Sequence, residues 1–457
     1  MKIFNSQTGK KEKLIPLDGE QVRMYICGMT VYDDTHIGHA RTFLCFDLIV
    51  RYLRNAGYKV NYIRNITDVD DKIIARAKEL NVDATELTGK YISSMQDDFN
   101  NLGMISPDLE PRATDNIDSI ISLIEELIHK GHAYIGKKDV YFSTDSFKEY
   151  GNLSNRNTED LIAGARIDVD EEKKNPADFV LWKQAEEGLA WDSPWGRGRP
   201  GWHIECSAMS MDALGNNFDI HGGGIDLKFP HHENEIAQSV CATGEEFANI
   251  WMHTGPLRID KEKMSKSLDN FITIKEALRE FPSEVIRFFL ISNHYRSPLN
   301  YSEEGVLEAK NSLDRLYTSL IDLDFSKVRH SDDTELISPF KEAMEDDFNV
   351  PSALAALFEL AKSINLAKEN GNIEEANVLG ATLVHLSEPL GILQQKTEEY
   401  FQLGAALSNK EIQFLIDERN KAREDKDFDL SDKIRDTLLE KGIVLEDTDK
   451  GTTWKVQ

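Results

Sequence analysis

Val22, Met24 and Ile26 alternate with polar residues up to Cys27; apolar residues then recur at helical spacing from Phe43 to Leu53, and a second strand pattern runs from Val60 to Ile66. Period-two alternation marks half-buried strands, and recurrence every three to four residues marks a helix. Asn55-Ala56-Gly57 ends the helix between the two strands. Strands joined through a helix run parallel, and such sheets bind ligands outside the carboxyl ends of their strands. The expected fold class is therefore α/β, with a Rossmann-like parallel sheet at its centre.

From about Arg112 to Pro200 this order loosens into a helix near Ile117 to Lys130, a hairpin near Val140 and the polar stretch Asp168 to Lys174, which reads as an insertion. The α/β pattern returns with a helix near Ile204 to Leu214, a strand near Phe218 to His221, a helix near His231 to Cys241 and a strand near Ile250 to His253. Beyond Pro298 strands are expected to vanish in favour of a helical bundle through Ala309 to Leu323, Pro351 to Ala367 and Glu374 to Leu386. A small α+β module closes the chain. It begins at Ser408, whose spacing to Glu411 makes a capping box, and ends in a hairpin, Ile443 to Val456, turned by Asp449-Lys450-Gly451.

A chain of 457 residues exceeds one ordinary core. Its 40% hydrophobic and 29% charged residues describe a soluble globular protein rather than a disordered or membrane one. The opening Met1 to Asn5 leads straight into polar residues, and no apolar run is long enough to span a bilayer. A cytoplasmic monomer with no membrane partner is the expectation. Cys27, Cys45, Cys206 and Cys241 are too scattered for a disulfide framework, which leaves reduced thiols or metal ligands. A net charge of −27 opposes nucleic-acid binding in the far field, yet an acidic body can carry a local basic stripe.

Two short segments carry candidate chemistry. Thr35-His36-Ile37-Gly38-His39 falls at the carboxyl edge of the sheet and the amino end of a helix, where unpaired N–H groups favour phosphate oxygens. Gly38 would let an adenine ring lie against the backbone. Taken alone, His36 and His39 are more often polar helix-start residues than catalysts. Lys263-Met264-Ser265-Lys266-Ser267 precedes a helix opened by a capping box from Thr273 to Glu276. It is either a solvated loop or a mobile lid whose lysines meet the outer phosphates of a nucleotide.

His231 and Glu235 stand at i and i+4 on one helical face, a spacing that suits a metal. With Cys27 and Cys206 they would form a Cys₂His site with a carboxylate at the sheet edge. His232 could replace His231, Glu233 could replace Glu235, and scattered cysteines are more often small core residues. Cys45 and Cys241 are read as core. Asp68, Asp70 and Asp71 suit a helix start without any metal.

The ordered pair His36-Ile37-Gly38-His39 and Lys263 to Ser267 resembles the class I aminoacyl-tRNA synthetases. Gly201 to Ser207, His221 to Gly224 and Phe229 to Glu235 are similar to the cysteinyl-tRNA synthetase family in particular, and the resemblance runs along nearly the whole chain. It implies catalytic roles for His36, His39, Lys263 and Lys266, with His36, Gly38, His39 and Lys266 binding ATP. It further implies zinc ligands at Cys27, Cys206, His231 and Glu235, and contacts to the amino acid from Thr67, Trp202 and His221. The implied reaction activates L-cysteine with Mg²⁺-bound ATP and transfers it to tRNA-Cys, with one zinc per chain selecting the thiolate. Two rivals are a cysteine ligase acting on an amino sugar and a non-catalytic RNA-binding relative. The expected division is 1–111 and 201–298 for the halves of the catalytic domain, 112–200 for the insertion, 299–397 for the tRNA-binding bundle and 398–457 for an anticodon-binding module.

In that last module Arg419, Lys421, Arg423 and Lys426 are interleaved with acids on a helix leading to Phe428. On composition this is a solvated helix with an aromatic anchor in a small core. The resemblance implies tRNA contact instead, with Phe428 or Trp454 stacking on a base and Arg423 hydrogen-bonding one.

Overall fold

The structure, a computed structural model, describes residues 1–155, 172–259, 262–263, 271–326, 328–403, 407, 409–448 and 451–456. Its centre is a four-stranded parallel sheet. Strand β1 (Gln21–Ile26) leads through helix α1 (Ile37–Asn55) to β2 (Lys59–Arg64). Helix α2 (Trp202–Leu214) leads to β3 (Phe218–Gly224), and α3 (Glu233–Thr243) to β4 (Ala248–Thr254). The order across the sheet is β4-β3-β1-β2. The first half thus grows away from β1 on one side and the second half on the other, which makes the β1/β3 border a topological switch point where a crevice opens. Register there pairs Met24 with Ile220, Tyr25 with His221 and Ile26 with Gly222.

The helix over 37–55 is buried nearly all round from Phe43 to Val50, and its broad apolar face includes Phe43, Leu44, Phe46, Ile49 and Leu53. At roughly 1.5 to 3 kcal/mol for each large apolar side chain removed from water, that face outweighs helix propensity as the reason the segment holds. Behind it, Arg41 is wholly buried and donates to the carbonyls of Leu290 and His294, tying α1 to a later turn. Asp47 pairs with Arg287 across the same interface.

Residues 112–200 contain a helix, Ile117–His129, and a four-stranded antiparallel sheet. They pack on α2 and α3 through Ile124, Leu127 and Leu181 against Ile204 and Ala237. Asp168 to Glu171, within the expected polar stretch, lie outside the described residues. An N-terminal hairpin, Lys2–Asn5 with Lys10–Lys13, was not foreseen from periodicity.

One expectation needs correction. Strands do not vanish beyond Pro298, because Leu299–Tyr301 pairs in parallel with Leu257–Ile259 in a small three-stranded sheet. A strand of three residues is too short to show a period. The bundle then follows as Glu303–Leu320, Thr334–Glu345, Val350–Glu369 and Ile373–Ser387. Its second helix escapes the periodic reading because Pro339 interrupts it. Val350–Glu369 is long and apolar enough to cross a membrane by composition, but Leu354, Leu357 and Ile364 are buried in the bundle core. The last module holds two helices, Asn409–Glu424 and Phe428–Glu440, and the hairpin Ile443–Thr448 with Gly451–Val456. Ser408 and the turn residues Asp449 and Lys450 lie outside the described residues.

Candidate active site and metal centre

Four segments deliver polar side chains to the β1/β3 crevice. Cys27 follows the last residue of β1 and Cys206 sits in α2. His231 occupies the kinked turn Lys228–His232, and Glu235 the first turn of α3. Despite the kink, His231 Nε2 lies 3.1 Å from Glu235 Oε1, and Cys27 Sγ lies 3.3 Å from the same oxygen. One ligand atom from each of Cys27, Cys206, His231 and Glu235 falls within 4.8 Å of the others, and all four residues are buried. Buried charges and polar groups are tolerated only when paired or coordinated, so this is an expensive arrangement for mere packing. Thiols, an imidazole and a carboxylate are donors that fit a borderline-soft divalent ion.

The alternatives left open by sequence separate here. Glu233 accepts the backbone N–H groups of Gly151, Leu153 and Ser154 at 2.9, 3.3 and 2.8 Å, so it anchors the insertion and belongs to neither donor group. His232 instead belongs to a second donor group, Cys27, His221, His232 and Glu235. It shares Glu235 because His221 Nε2 meets Glu235 Oε2 at 2.8 Å.

Burial pushes the Cys27 thiol well up. The Cys27 thiol pulls Cys206 down, but burial and the Glu235 charge outweigh it and leave Cys206 raised. Burial holds His231 well below its usual range and His203 at about 3, so both rings are neutral.

Thr67 is buried and stitched to the loop after β1: its N–H donates to Met29 and its carbonyl accepts from Val31, both at 3.2 Å. In that loop a Cβ on Gly28 would sit 1.7 Å from the Asn65 carbonyl oxygen, so only glycine fits. Trp202 is 39% exposed and tilts over His231 with ring centres 4.3 Å apart. His221 is buried and stacks on Trp251 at 4.3 Å. The sequence reading did not assign a role to His203, Trp251 or His253. His203 Nδ1 lies 2.8 Å from His231 Nδ1, and His253 Nε2 lies 2.9 Å from His232 Nδ1. For the two histidines a polar residue inside an apolar strand or motif was the only signal, and Trp251 reads as an ordinary core aromatic.

At the other end of the crevice His36 caps α1, its Nδ1 accepting from the His39 N–H at 3.1 Å, and the two rings stack 3.5 Å apart. Gly38 lies in the first turn of α1. The capping box from Thr273 to Glu276 forms as expected. Ile37 N–H donates to Ile272 and Ile274 N–H to Thr35, so the segment after the lysine-serine loop returns directly onto the histidine pair. Lys263 ends a two-residue strand, and Lys266 lies outside the described residues. Asp70 caps the helix Asp71–Leu80 by accepting from Lys72, Asp68 accepts from Thr114, and Asp71 meets Lys183 and Arg199.

In the last module Phe428 is 63% exposed, so it is not the anchor of a small core; Trp454 is, packed with Ile412, Ile416, Ile434 and Leu438. Arg423 donates to Asp447 at 2.9 Å and stays half exposed.

Residues 13–311 match the family described as tRNA synthetases class I (C) catalytic domain, 339–394 the DALR domain and 409–454 the cysteinyl-tRNA ligase anticodon binding domain. A cysteine-tRNA ligase of Halorhodospira halophila is 55% identical over 458 residues, covering 100% of this chain and 99% of the relative. The chain belongs to the cysteine-tRNA ligase family. A family member from Haemophilus influenzae is 52% identical over 460 residues, covering 100% of both chains. Among solved structures, the methionyl-tRNA synthetase of Mycobacterium tuberculosis shares the fold, with a TM-score of 0.60 at 15% identity over 81% of this chain and 89% of that one.

Proposed function

We propose that this member of the cysteine-tRNA ligase family activates L-cysteine with ATP to cysteinyl-adenylate and transfers it to the 3′-terminal adenosine of tRNA-Cys. The convergence of Cys27, Cys206, His231 and Glu235 at the sheet edge carries the substrate assignment. These four residues would hold one zinc ion. Bound there, zinc supplies a centre that takes a thiolate far better than a hydroxyl, a distinction that an apolar pocket makes only weakly.

The cysteine carboxylate attacks the α-phosphate of Mg²⁺-bound ATP, a P–O bond forms, and pyrophosphate leaves. His36 and His39 donate to the phosphates at the amino end of α1, where the helix field already favours negative charge. Gly38 leaves room for the adenine ring. Lys263 and Lys266 neutralise the departing pyrophosphate. Thr67, Trp202 and His221 border the amino acid, with Trp202 closing over His231 and His221 held in place by Glu235. A ribose hydroxyl of tRNA then displaces AMP.

The tRNA is held by the bundle at 299–397 and read by the module at 398–457. In that module Arg423 offers hydrogen bonds and Phe428 an exposed face for stacking. Trp454 serves indirectly, as the core of the surface that presents them. The catalytic domain comprises 1–111 and 201–298 around the insertion at 112–200. A cytoplasmic, monomeric enzyme completes this reading. Cysteine-dependent ATP–pyrophosphate exchange, run beside tRNA charging, tests it. Both should proceed, serine should support neither, and exchange without charging would exclude tRNA as the acceptor.

A further inference from the structure

Tyr25 is the next-to-last residue of β1, with Ile63 beside it in β2 and His221 in β3. It precedes Cys27 by two residues, so its side chain leaves the strand on the same face. The ring is wholly buried, 5.4 Å from the His221 ring and 6.4 Å from that of Phe218. Its hydroxyl is buried as well and completes no hydrogen bond of good geometry, although the Cys206 sulfur lies near enough to bear on it. Tyr25 packs in one buried cluster with Cys27 and Cys206, so it faces the donor set. A buried hydroxyl without a partner costs free energy, and such groups are rare enough to demand a reason.

We propose that Tyr25 is a positioning residue of the metal centre, whose hydroxyl donates to the Cys206 sulfur once that thiol has lost its proton to solvent on binding a metal. The choice of acceptor follows from the other partners. Glu235 already meets His221 through one oxygen and Cys27 and His231 through the other, and the Cys27 thiol is directed at Glu235. That leaves Cys206. A neutral thiol is a poor acceptor, whereas a thiolate takes a strong, charge-assisted bond. The hydroxyl is therefore a partner held in reserve, fixing the direction of the sulfur and drawing off part of its charge. Groups in this position commonly set the affinity of a metal site.

This inference rests on the reading that Cys27, Cys206, His231 and Glu235 bind the metal, and Tyr25→Phe tests it in the full-length protein with Zn²⁺ and Co²⁺. The substitution removes one oxygen and keeps the ring. Zn²⁺ affinity, measured by competition with a chromogenic chelator, should fall by about 10- to 100-fold. The sulfur-to-Co²⁺ charge-transfer band should move to longer wavelength, because the thiolate loses a donor that lowers its energy. Thermal unfolding of the metal-free protein should stay unchanged or shift upward, since an unsatisfied hydroxyl has been deleted. Unchanged affinity and an unshifted band would overturn the proposal, as would equal destabilisation of the metal-free and metal-bound forms. Cys206→Ser separates the two levels: full zinc occupancy in that variant removes the donor set itself, whatever Tyr25 does.

Discussion

The crevice at the sheet edge and the module at the end of the chain both gather charge, in opposite ways. In the crevice, donors from four separated segments converge where no water reaches, and Cys27, Cys206, His231 and Glu235 are at most 3% exposed. In the module, Arg419 and Arg423 from one helix meet Asp447 on a hairpin close by, with that carboxylate 44% exposed. Electrostatic interactions strengthen as the local dielectric falls. Single groups in the crevice should therefore be worth orders of magnitude, whereas those in the module should act by small, summed amounts.

The largest effect belongs to Cys206→Ser. Elemental analysis should find zinc falling from one per chain toward none, with a steep rise in the Michaelis constant for cysteine. The loss should exceed the roughly 10- to 100-fold that removing an outer partner of a metal ligand costs. Retained zinc would erase the contrast at its stronger end.

Next comes His39→Ala, which should slow adenylate formation by about 10²- to 10³-fold while leaving cysteine binding nearly intact, because its partner gains charge only in the transition state. Lys266→Ala should behave alike. Rapid-quench measurement of the chemical step distinguishes this from a loss of binding.

For the module, Phe428→Ala should weaken tRNA binding by about 1 to 3 kcal/mol, as loss of a base-stacking platform does, and leave pyrophosphate exchange unchanged. Deleting 408–457 should extend the same split, with charging greatly reduced and exchange preserved. Equal losses in both assays would mean that the two regions are not energetically separate.

The smallest effect is Asp447→Asn, about 1 kcal/mol or less of module stability, as befits a pair in partial contact with water. Hydrogen bonds from Arg419 and Thr452 hold the Asp447 carboxyl well below its ordinary 3.8. The unfolded chain therefore binds the proton more readily. The pair's contribution is complete above 3.8 and is lost as pH falls through the lower folded value. Melting of wild type and Asp447→Asn, followed from neutral pH down into that range, should converge. A constant gap would remove Asp447 as the titrating group.

Much of the crevice was legible because its parts sit where periodic patterns change. Cys27 ends a period-two strand, and His231 and Glu235 carry helical spacing into α3. His232 could be read as an alternative ligand, but its grouping with His221 around Glu235 was not legible, since His221 lies in a strand buried on both faces, where a single polar residue breaks no pattern. Tyr25 was hidden for a related reason: the alternation of β1 marks it as a polar position, yet the sheet buries it completely. In the module the sequence placed Phe428 and Trp454 together as aromatic candidates. Only packing separates them, because Trp454 pairs with Leu445 across the hairpin and is turned into the core, while Phe428 begins its helix in solvent.

The long-range construction of the crevice also sets a timetable. Cys27 and Glu235 stand 208 residues apart along the chain. At the roughly 5 to 20 residues per second of protein synthesis, the interval between their emergence from the ribosome is on the order of 10 to 40 s. For most of that interval β1 lacks its neighbour β3 (Phe218–Gly224) and the Cys27 thiol lacks Cys206, with the Glu235 carboxylate arriving last. The insertion comes off the ribosome in the meantime, and its helix and antiparallel sheet draw only on residues of the insertion itself. It can therefore take shape before the crevice closes and offer α2 and α3 a surface to settle on as they appear.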